Sequence, residues 1–439
     1  MTEREKTERK IKVEALSRVE GEGGLYIRLD GNSVSDVRLE IYEPPRLFEA
    51  LLRGRALEEV PDITARICGI CPVAYQMSSV HALESALGVS ITPEIRRLRR
   101  LLYCGEWIES HTLHLYLLHA PDFLGFPSGL KMAERYPEIV NRGLQMKRHG
   151  NHLLEVLGGR AIHPVNVAVG GFHRAPKREA LAQLIPDFQW SLQAAIETCH
   201  WVAGFDFPDF DCDYQFVTLS HPDEYPMNEG VVATTLGEAI AVTDYETAFE
   251  EYHVPHSTAL HARRIPTRSA YCVGPLARVN LCGDRLSPTA RLLRDELPIS
   301  WPSQNPFHSI VARALEIVHA FEEALEILQN YTPPKVARVA YEPHAGEGCA
   351  ATEAPRGLLY HRYQVDESGR IQFAKIVPPT SQNQPQIESD LANWVVRHVA
   401  EDEQAIGKAC ESLVRCYDPC ISCSTHCINL HLDRGEPSS

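Results

Sequence analysis

Two pairs of cysteines, one near each end of the 439-residue chain, constrain its fold more than any other feature. The first pair is Cys68 and Cys71, and the second is Cys420 and Cys423. In a tight turn, residues i and i+3 point the same way, so each pair can present both sulfurs to one metal ion. A proline beside each pair favours such a turn. Because most of the chain lies between the pairs, a fold that joins them must close on itself around the site.

Spacing alone leaves three alternatives to a metal centre shared by both cysteine pairs. Structural zinc sites usually pair two such motifs about 15–20 residues apart, far closer than the two pairs here. A thioredoxin-like redox motif needs a βαβ context, which neither pair has. Four unrelated buried cysteines are the third alternative. The spacing favours a four-thiolate metal site, with zinc among the candidate metals.

Charge and hydropathy exclude several classes of function. The formal net charge is -15 and the pI is about 5.7, which argues against nucleic acid or an anionic membrane as the main partner. No apolar run reaches the roughly 18 residues that a membrane span needs. The segment Met1–Lys10 is charged and lacks the apolar core of a signal peptide. We therefore expect a cytoplasmic protein whose thiols are reduced.

Hydrophobic periodicity predicts a mainly helical α+β fold. Apolar residues alternate between Ile11 and Tyr42, which predicts a small N-terminal antiparallel sheet. Short strands and turns are expected in Phe205–Pro266 and Tyr341–Val377. The expected architecture is a central bundle of long helices with small N-terminal and peripheral sheets. Helices are predicted for Arg46–Gly54, Val73–Leu87, Pro93–Ala120, Pro137–Leu157, Lys177–Gly204 with a break at Pro186, Asn305–Gln329 and Pro385–Tyr417.

Five further segments accompany the cysteine pairs in a fixed order along the chain. With the cysteine pairs they make seven ordered motifs, a far more specific signal than one pair. Together they resemble the large, catalytic subunit of nickel–iron (NiFe) hydrogenases. The form is most similar to the cytoplasmic NAD(P)-linked and sulfhydrogenase-type branch. The five segments are Ser17–Gly21, Arg160–Pro164, Val273–Arg278, Thr352–Gly357 and Pro379–Asn383.

The resemblance implies a nickel ion held by all four thiolates. Cys71 and Cys423 would bridge to an iron that carries CO and two cyanide ligands, and Cys68 and Cys420 would bind nickel alone. Soft thiolates suit a soft, redox-active metal. The implied reaction is the reversible, heterolytic oxidation of H2, in which the Cys420 sulfur receives the proton.

The same resemblance assigns roles to residues around the metals. Glu20 would take the proton from the thiolate, although an isolated glutamate is usually a surface carboxylate. Asp418 and Arg356, with Pro355 beside it, would line the open side of the site. The Arg356 guanidinium would hydrogen-bond one cyanide. Thr380 would hydrogen-bond the other, although a threonine after proline is often only a local cap.

A second ion and a processing step are also implied. Glu49, the carbonyl of Ile376 and His426 would bind Mg²⁺, with water completing the octahedron. Without the resemblance, Glu49 would be a helix-surface residue and His426 a tail histidine. A maturation endopeptidase would cut after His426 and remove residues 427–439, so that the sequence represents a precursor.

The chain departs from the family pattern at two positions. Tyr75 stands where the first motif usually continues to a histidine, and tyrosine cannot take up a proton near neutral pH. Ser110 stands where membrane-bound relatives carry an aspartate over the nickel. Both departures change the set of polar groups around the metals.

Other polar residues and cysteines have plainer interpretations. Three histidines of one predicted helix, His111, His114 and His119, are expected to serve packing or an interface. The arginines 96, 97, 99 and 100 are expected to form a solvated or subunit-facing patch. The remaining cysteines are expected to be small buried hydrophobes: Cys104, Cys199, Cys212, Cys272, Cys282, Cys349, Cys410 and Cys416.

We expect one hydrogenase large-subunit domain over residues 1–439. Its parts would be a β-rich stretch (11–60), the first cysteine motif with long helices (61–204), a mixed insertion (205–300), a helical part with the second motif (301–426), and the extension (427–439). The implied partners are a small subunit with Fe–S clusters and diaphorase subunits that bind NAD(P) and flavin. Rival interpretations are a non-catalytic scaffold like the related complex I subunit, which lacks the four cysteines, and a zinc-bound interaction protein.

Overall fold

The computed structural model of the protein describes residues 8–425, and there the strands form only small antiparallel sheets. Three sheets have three strands each and two are two-stranded. The N-terminal sheet predicted between Ile11 and Tyr42 is confirmed, and it pairs Ile11 with Ile27. The strands are β1 (Glu8–Val13), β2 (Gly23–Asp30), β3 (Ser33–Ile41), β4 (Val167–Ala168), β5 (Gly171–Phe172), β6 (Val217–Ser220), β7 (Val231–Thr234), β8 (Ala239–Ile240), β9 (Phe249–Tyr252), β10 (His261–Arg264), β11 (Gly346–Ala354), β12 (Gly357–Val365) and β13 (Ile371–Val377).

Helices make up most of the remaining regular structure. Many begin at a proline in the first turn, where the missing N–H costs nothing. They are α1 (Phe48–Leu52), α2 (Val60–Ala65), α3 (Pro72–Ala86), α4 (Pro93–Leu113), α5 (Ala120–Phe123), α6 (Gly129–Arg135), α7 (Pro137–Gly158), α8 (Arg178–Ala182), α9 (Ile185–Ala203), α10 (Tyr245–Ala248), α11 (Pro275–Cys282), α12 (Pro288–Glu296), α13 (Ser309–Gln329), α14 (Pro379–His398), α15 (Glu403–Cys416) and α16 (Ile421–Ser424).

Four long helices form the centre, which confirms the predicted bundle. Helix α4 packs against α7 and α13, and α9 packs against α13. Gly150 lets α7 approach α4 closely, because a Cβ at this position would lie 2.9 Å from the Cγ2 atom of Ile108. Leucines such as Leu101 and Leu154 are buried along these contacts, and each contributes roughly 1.5–3 kcal/mol relative to an exposed side chain.

A second hydrophobic cluster joins the two ends of the described chain. Ile11, Leu25 and Ile27 of the N-terminal sheet belong to the same buried cluster as Ile387 of α14 and Leu413 of α15. These last two helices lead directly into the second cysteine pair. The burial of apolar surface between the sheet and the helices therefore holds the C-terminal cysteines beside the N-terminal part of the chain.

Two predicted helices have different boundaries in the structure. The helix predicted for Pro93–Ala120 is α-helical only to Leu113 and continues as a π-helix over His114–His119. The prediction that a helix runs from Pro385 to Tyr417 is wrong, because α14 begins at Pro379 and a break separates it from α15. Proline is favoured in the first turn of a helix, and Pro378-Pro379 is the stronger start signal.

The predicted arginine patch on α4 is wrong for two of its members. Arg99 is 0% exposed and binds the Glu84 carboxylate through N–O distances of 2.8 and 2.6 Å. Arg100 is 3% exposed and pairs with Glu323 and Glu224. Buried charges need partners, and these partners come from distant elements that the local pattern does not reveal.

The structure agrees better with the interpretations given to the three histidines and to the remaining cysteines than with the arginine patch. His111, His114 and His119 are all buried, and the Nε2 atom of His111 lies 2.9 Å from the Glu316 carboxylate. Six of the eight remaining cysteines are buried, whereas Cys212 and Cys349 are only partly buried. In the segment 8–425, no helix combines the length and the apolar character that crossing a membrane requires.

Candidate metal centre

The structure brings the two distant cysteine pairs together. The sulfurs of Cys68, Cys71, Cys420 and Cys423 all lie within 4.8 Å of one another, and all four residues are buried. The Cys68 and Cys420 sulfurs are 3.5 Å apart, and the Cys71 and Cys423 sulfurs are 3.8 Å apart. The Cys420 and Cys423 sulfurs are in direct contact. Metal ligation requires the reduced thiolates, and four buried sulfurs around one point fit a soft metal.

The start of helix α3 shapes the first pair. Cys71 is the residue that precedes α3, and Pro72 occupies its first turn. The Cys68 sulfur accepts hydrogen bonds from the backbone N–H groups of Ile70 and Cys71, each at 3.3 Å. These bonds close the turn and favour a thiolate, because a charged acceptor strengthens them. The turn predicted from the spacing is therefore present, with both sulfurs on the same side.

Thiol pKa values in this cluster are shifted in opposite directions. The side-chain hydrogen bond with the Cys71 thiol is the main cause that lowers the pKa of Cys68, and burial opposes it. The same hydrogen bond, followed by burial, raises the pKa of Cys71 well above its usual range. A metal that binds here would displace the proton from the buried Cys71 thiol.

Two buried or bridging side chains support the cysteine motifs, and sequence reasoning missed both. Glu106 of α4 accepts the backbone N–H groups of Val73 and Ala74 at 2.6 and 3.0 Å, at the start of α3. Burial raises the pKa of Glu106 well above its usual range, although these backbone bonds oppose the rise. Arg46 donates to the Ile67 carbonyl at 2.7 Å and also contacts a carbonyl of the second motif. Neither residue carries a local sequence signal for this role.

The second cysteine motif is fixed by backbone contacts with two predicted site residues. The Thr380 hydroxyl oxygen accepts the backbone N–H of Cys420 at 3.0 Å. Thr380 lies in the first turn of α14, whose N-terminus has no side-chain cap hydrogen bond, so the alternative of a local cap after proline is wrong. Its hydroxyl can still donate one hydrogen bond. The backbone N–H of Ile421 donates to the Glu20 carbonyl at 2.9 Å.

The Glu20 carboxylate contacts the cysteine cluster directly. Its Oε2 atom lies 3.0 Å from the Cys420 sulfur and accepts the backbone N–H of Ser422 at 3.1 Å. The Ser422 hydroxyl in turn donates to the Glu43 carboxylate at 2.9 Å. The interpretation of Glu20 as a surface carboxylate is therefore wrong, and the side chain stands between a buried sulfur and a second, half-buried carboxylate.

Arg356 and Asp418 form a buried ion pair beside the sulfurs. The Arg356 Nη2 and Asp418 Oδ1 atoms are 3.1 Å apart, and the two residues are 3% and 2% exposed. Burial alone would lower the pKa of Arg356, but Asp418 and the sulfurs of Cys71 and Cys68 outweigh it and raise the pKa. Within residues 8–425, Arg356 Nη1 is buried and has no hydrogen-bond partner. A buried guanidinium N–H needs an acceptor, so this one is suited to bind a group held at the sulfurs.

The loop that carries Arg356 is held by a network of buried charged residues centred on Arg278 of α11. Arg278 donates to the Pro355 carbonyl at 3.0 Å and to the Glu353 carboxylate at 2.8 Å. Its guanidinium also pairs with Glu316 at 2.7 Å. All of these charges are buried and mutually paired, so the network fixes the Pro355 backbone rigidly.

Two of the three residues predicted for a magnesium site are neighbours. The Glu49 carboxylate accepts the backbone N–H of Ile376 at 2.8 Å. His426, the third predicted ligand, lies outside the described residues. Burial and the nearby Glu49 carboxylate raise the pKa of Glu251 to about 8. Sequence reasoning missed Glu251 because it lies in the mixed region where the pattern is weakest.

Both departures from the family pattern are buried in the structure. Tyr75 lies in the first turn of α3, and its ring centroid is 5.8 Å from that of His361. Ser110 lies near the end of α4 and is 1% exposed. These two positions therefore place a phenol and a hydroxyl inside the molecule.

Similarity to known proteins agrees with this site. A family model described as nickel-dependent hydrogenase matches residues 46–141 and 307–426. Sulfhydrogenase 1 subunit alpha of Pyrococcus furiosus is 34% identical, over 96% of this chain and 98% of the relative. The NAD-reducing hydrogenase HoxS subunit beta of Cupriavidus necator is 28% identical, over 96% of this chain and 95% of the relative.

Solved structures share the fold over nearly the whole chain. An NAD+-reducing NiFe-hydrogenase in the H2-reduced state matches with a TM-score of 0.86 and 25% identity, over 95% of this chain and 99% of that one. A NiFeSe-hydrogenase of Desulfomicrobium baculatum has the same fold, with a TM-score of 0.77 over 95% of this chain and all of that one. The mainly helical α+β fold, the sulfur cluster and the full-length similarity lead to one conclusion. This chain belongs to the nickel-dependent hydrogenase family, as its large subunit.

Proposed function

We propose that this chain interconverts H2 with protons and electrons at a nickel–iron centre held by Cys68, Cys71, Cys420 and Cys423. The observation that carries the proposal is the meeting of four buried sulfurs from opposite ends of the chain, all within 4.8 Å of one another. When bound, nickel and iron with CO and two cyanide ligands supply the Lewis-acid and redox chemistry for heterolytic cleavage of H2. The protein supplies soft ligands, a proton acceptor and fixed charges.

Proton transfer is assigned to the Cys420 sulfur and Glu20. The sulfur lies 3.0 Å from Glu20 Oε2, which is within reach for direct proton transfer. The backbone N–H of Ser422 holds the same carboxylate oxygen and so keeps it oriented toward the sulfur. From Glu20 the proton would move outward toward Glu43, the next carboxylate, which is bound by the Ser422 hydroxyl.

Four residues are assigned to orient and polarise the groups bound to the metals: Arg356, Asp418, Thr380 and Pro355. The Nη1–H of Arg356, which has no partner among residues 8–425, supplies a donor for a cyanide nitrogen. Asp418 fixes the guanidinium through two hydrogen bonds. Its backbone carbonyl accepts Nε–H of Arg356 at 2.6 Å, and its Oδ1 atom accepts Nη2–H at 3.1 Å. The Thr380 hydroxyl hydrogen is available for the other cyanide, because its oxygen already accepts the Cys420 N–H. Such preorganised donors act strongly in a buried site.

Replacing Arg356 by lysine tests the role of the guanidinium. Arg356→Lys keeps the positive charge but loses the planar fork that contacts both Asp418 and the metal ligands. We expect kcat for H2 oxidation to fall by roughly 10²–10³-fold, while nickel and iron contents stay unchanged. A matched control is Arg362→Lys, because this half-buried arginine pairs with carboxylates away from the sulfurs. Unchanged kcat in Arg356→Lys would contradict the assignment.

A magnesium ion is proposed near the end of the described chain. Glu49, the Ile376 carbonyl and His426 would be its protein ligands, with water completing the coordination. Glu251, whose pKa is raised to about 8 by burial and by Glu49, would be stabilised as a carboxylate by such a cation.

We also propose that an endopeptidase removes residues 427–439 after His426 once nickel is in place.

Electrons must leave through another subunit. In the segment 8–425, the clusters of possible metal ligands other than the four-cysteine site contain no cysteine. These residues therefore provide no chain of Fe–S clusters for electron transfer. An Fe–S small subunit is therefore proposed, together with diaphorase subunits that bind flavin and NAD(P). The names of two relatives, a sulfhydrogenase subunit alpha and an NAD-reducing hydrogenase subunit beta, support partner subunits and NAD. We place the assembly in the cytoplasm.

Metal analysis and infrared spectroscopy of the purified complex test the proposed function. We expect one nickel per chain, iron in excess of nickel because the proposed Fe–S subunits also contain iron, and infrared bands of metal-bound CO and cyanide. Zinc in place of nickel would favour the interaction-protein alternative. The absence of metal from an intact complex would favour the non-catalytic scaffold instead. Either result would overturn the proposed centre.

A further inference from the structure

Two histidines and a glutamate form a second cluster of possible metal ligands, outside the cysteine centre. His256, His261 and Glu388 each offer one ligand atom, and these atoms lie within 4.8 Å of one another. His256 Nε2 is 2.8 Å from Glu388 Oε1. The ring centroids of the two histidines are 5.6 Å apart. No residue of this cluster has a role in the proposed hydrogenase chemistry.

Three separate elements contribute to the cluster. His261 begins strand β10, His256 lies in the connection between β9 and β10, and Glu388 lies in the middle of α14. The Glu388 Oε1 atom also accepts the backbone N–H of Leu39, in β3, at 2.9 Å. The carboxylate is therefore held in place by a strand, while both imidazoles approach it from the hairpin.

Poorly satisfied buried atoms in the same place point to a polar ligand. His261 is 1% exposed, and its Nε2 atom makes no hydrogen bond of normal geometry among residues 8–425. The side chain of Gln384 is 0% exposed and makes a hydrogen bond with His261, but the geometry of that contact is poor on both sides within the described segment. Buried polar atoms are nearly always paired. The His261 imidazole is therefore held only loosely by Gln384, and it lies beside two other possible ligands, His256 and Glu388.

We propose that His256, His261 and Glu388 bind a divalent transition-metal ion, with zinc as the best match. Two imidazoles and a carboxylate, completed by water, form a common zinc donor set. Ligand bonds of about 2 Å bring donor atoms to roughly 3–3.5 Å from one another, and small rotations of His256 and Glu388 would achieve this. These two side chains are 17% and 18% exposed, which leaves a path for the ion to enter.

The ion would fasten the β9–β10 hairpin to helix α14. The first turn of that helix carries Thr380, whose hydroxyl accepts the backbone N–H of Cys420 at 3.0 Å. A clamp on α14 would thus stiffen an element that fixes the second cysteine motif. The binding of this ion does not depend on the proposed reaction, so its failure would leave the hydrogenase assignment intact.

Zinc binding to the mature, nickel-loaded complex tests this inference. After chelation, the complex is dialysed against Zn²⁺ and the bound metal is counted by mass spectrometry. We expect one zinc per chain in addition to nickel and iron, lost in His256→Ala and in Glu388→Gln. The glutamine keeps an oxygen for the Leu39 N–H, so loss of zinc there does not require unfolding. The matched control is His398→Ala, because His398 also pairs with a carboxylate, Glu401 at 2.8 Å, but belongs to no cluster of three ligands within residues 8–425.

Cobalt supplies a second readout that identifies the ligands. Co²⁺ at a site of imidazoles and a carboxylate lacks the intense thiolate charge-transfer absorption of a cysteine site. We expect weak visible bands without that absorption, and their loss in His256→Ala. The inference is overturned if the wild-type complex binds no additional zinc or if His256→Ala retains it. It is also overturned if bound cobalt shows thiolate absorption, since the ion would then belong to cysteines.

Discussion

Replacing Glu20 by glutamine is expected to reduce H2 turnover and H/D exchange by about 10²–10⁴-fold, the range typical of a lost acid–base group. The amide has the same shape and can still accept the Ser422 N–H, but it cannot take the proton from the Cys420 sulfur, 3.0 Å from Glu20 Oε2. Nickel and iron contents should stay at wild-type levels, because Glu20 is not a metal ligand. Isotope exchange, turnover and metal analysis on the same preparation measure all three quantities.

The control for this variant is Glu22→Gln, two residues further along the chain. Glu22 is exposed, and its replacement removes the same charge without touching the sulfurs. We expect near-normal exchange in Glu22→Gln and an intermediate rate in Glu20→Asp, whose shorter side chain must reach further. Near-normal exchange in Glu20→Gln would show that the proton leaves the Cys420 sulfur by another route.

Replacing Cys68 by serine is expected to abolish nickel binding and H2 turnover together. A hydroxyl is a hard donor that stays protonated near neutral pH, whereas the proposed nickel site depends on soft thiolates. The Cys68 sulfur lies 3.5 Å from that of Cys420, so its loss removes one of four ligands from a shared centre. We expect nickel to fall to background in purified Cys68→Ser, with the protein still folded by circular dichroism.

Cys349→Ser is the matched control, because Cys349 is partly buried and belongs to no metal-ligand cluster within residues 8–425. It should keep wild-type nickel, iron and turnover. A Cys68→Ser protein with full nickel content would contradict four-thiolate ligation. Comparison with Glu20→Gln separates two causes of inactivity, since one variant should lose the metal and the other only the proton transfer.

Part of the fold was predictable because it depends on near neighbours in the chain. Helix and strand periodicity needs only residues two to four positions apart, so the N-terminal sheet and the helices of the central bundle are predicted from the sequence, apart from the end of α4. Local signals also conflict. The sequence predicts a helix that begins at Pro385, whereas α14 begins six residues earlier, at Pro379. The π-helix at His114–His119 left no pattern in the sequence, because it continues α4 without a break and its residues are also compatible with an α-helix.

The partners of buried charges were not predictable. Arg99 and Arg100 looked like surface arginines because their partners, Glu84, Glu224 and Glu323, come from other elements. Glu106 likewise became a support for the first cysteine turn only when α4 packed beside α3. Sequence periodicity specifies which face of a helix is buried. It does not specify which distant face meets it, and that meeting determines each charge's environment.

The sequence by itself determined the ligand chemistry of this protein: two cysteine pairs with turn-forming spacing, and the ordered motifs that resemble a hydrogenase large subunit. Only the tertiary structure decided that the four sulfurs meet, that Glu20 touches the Cys420 sulfur, and that His256 and His261 converge on Glu388. The physical reason is that residue types and local turns follow from neighbouring residues. Contacts across hundreds of positions arise when apolar faces such as those of β1, β2, α14 and α15 are buried together.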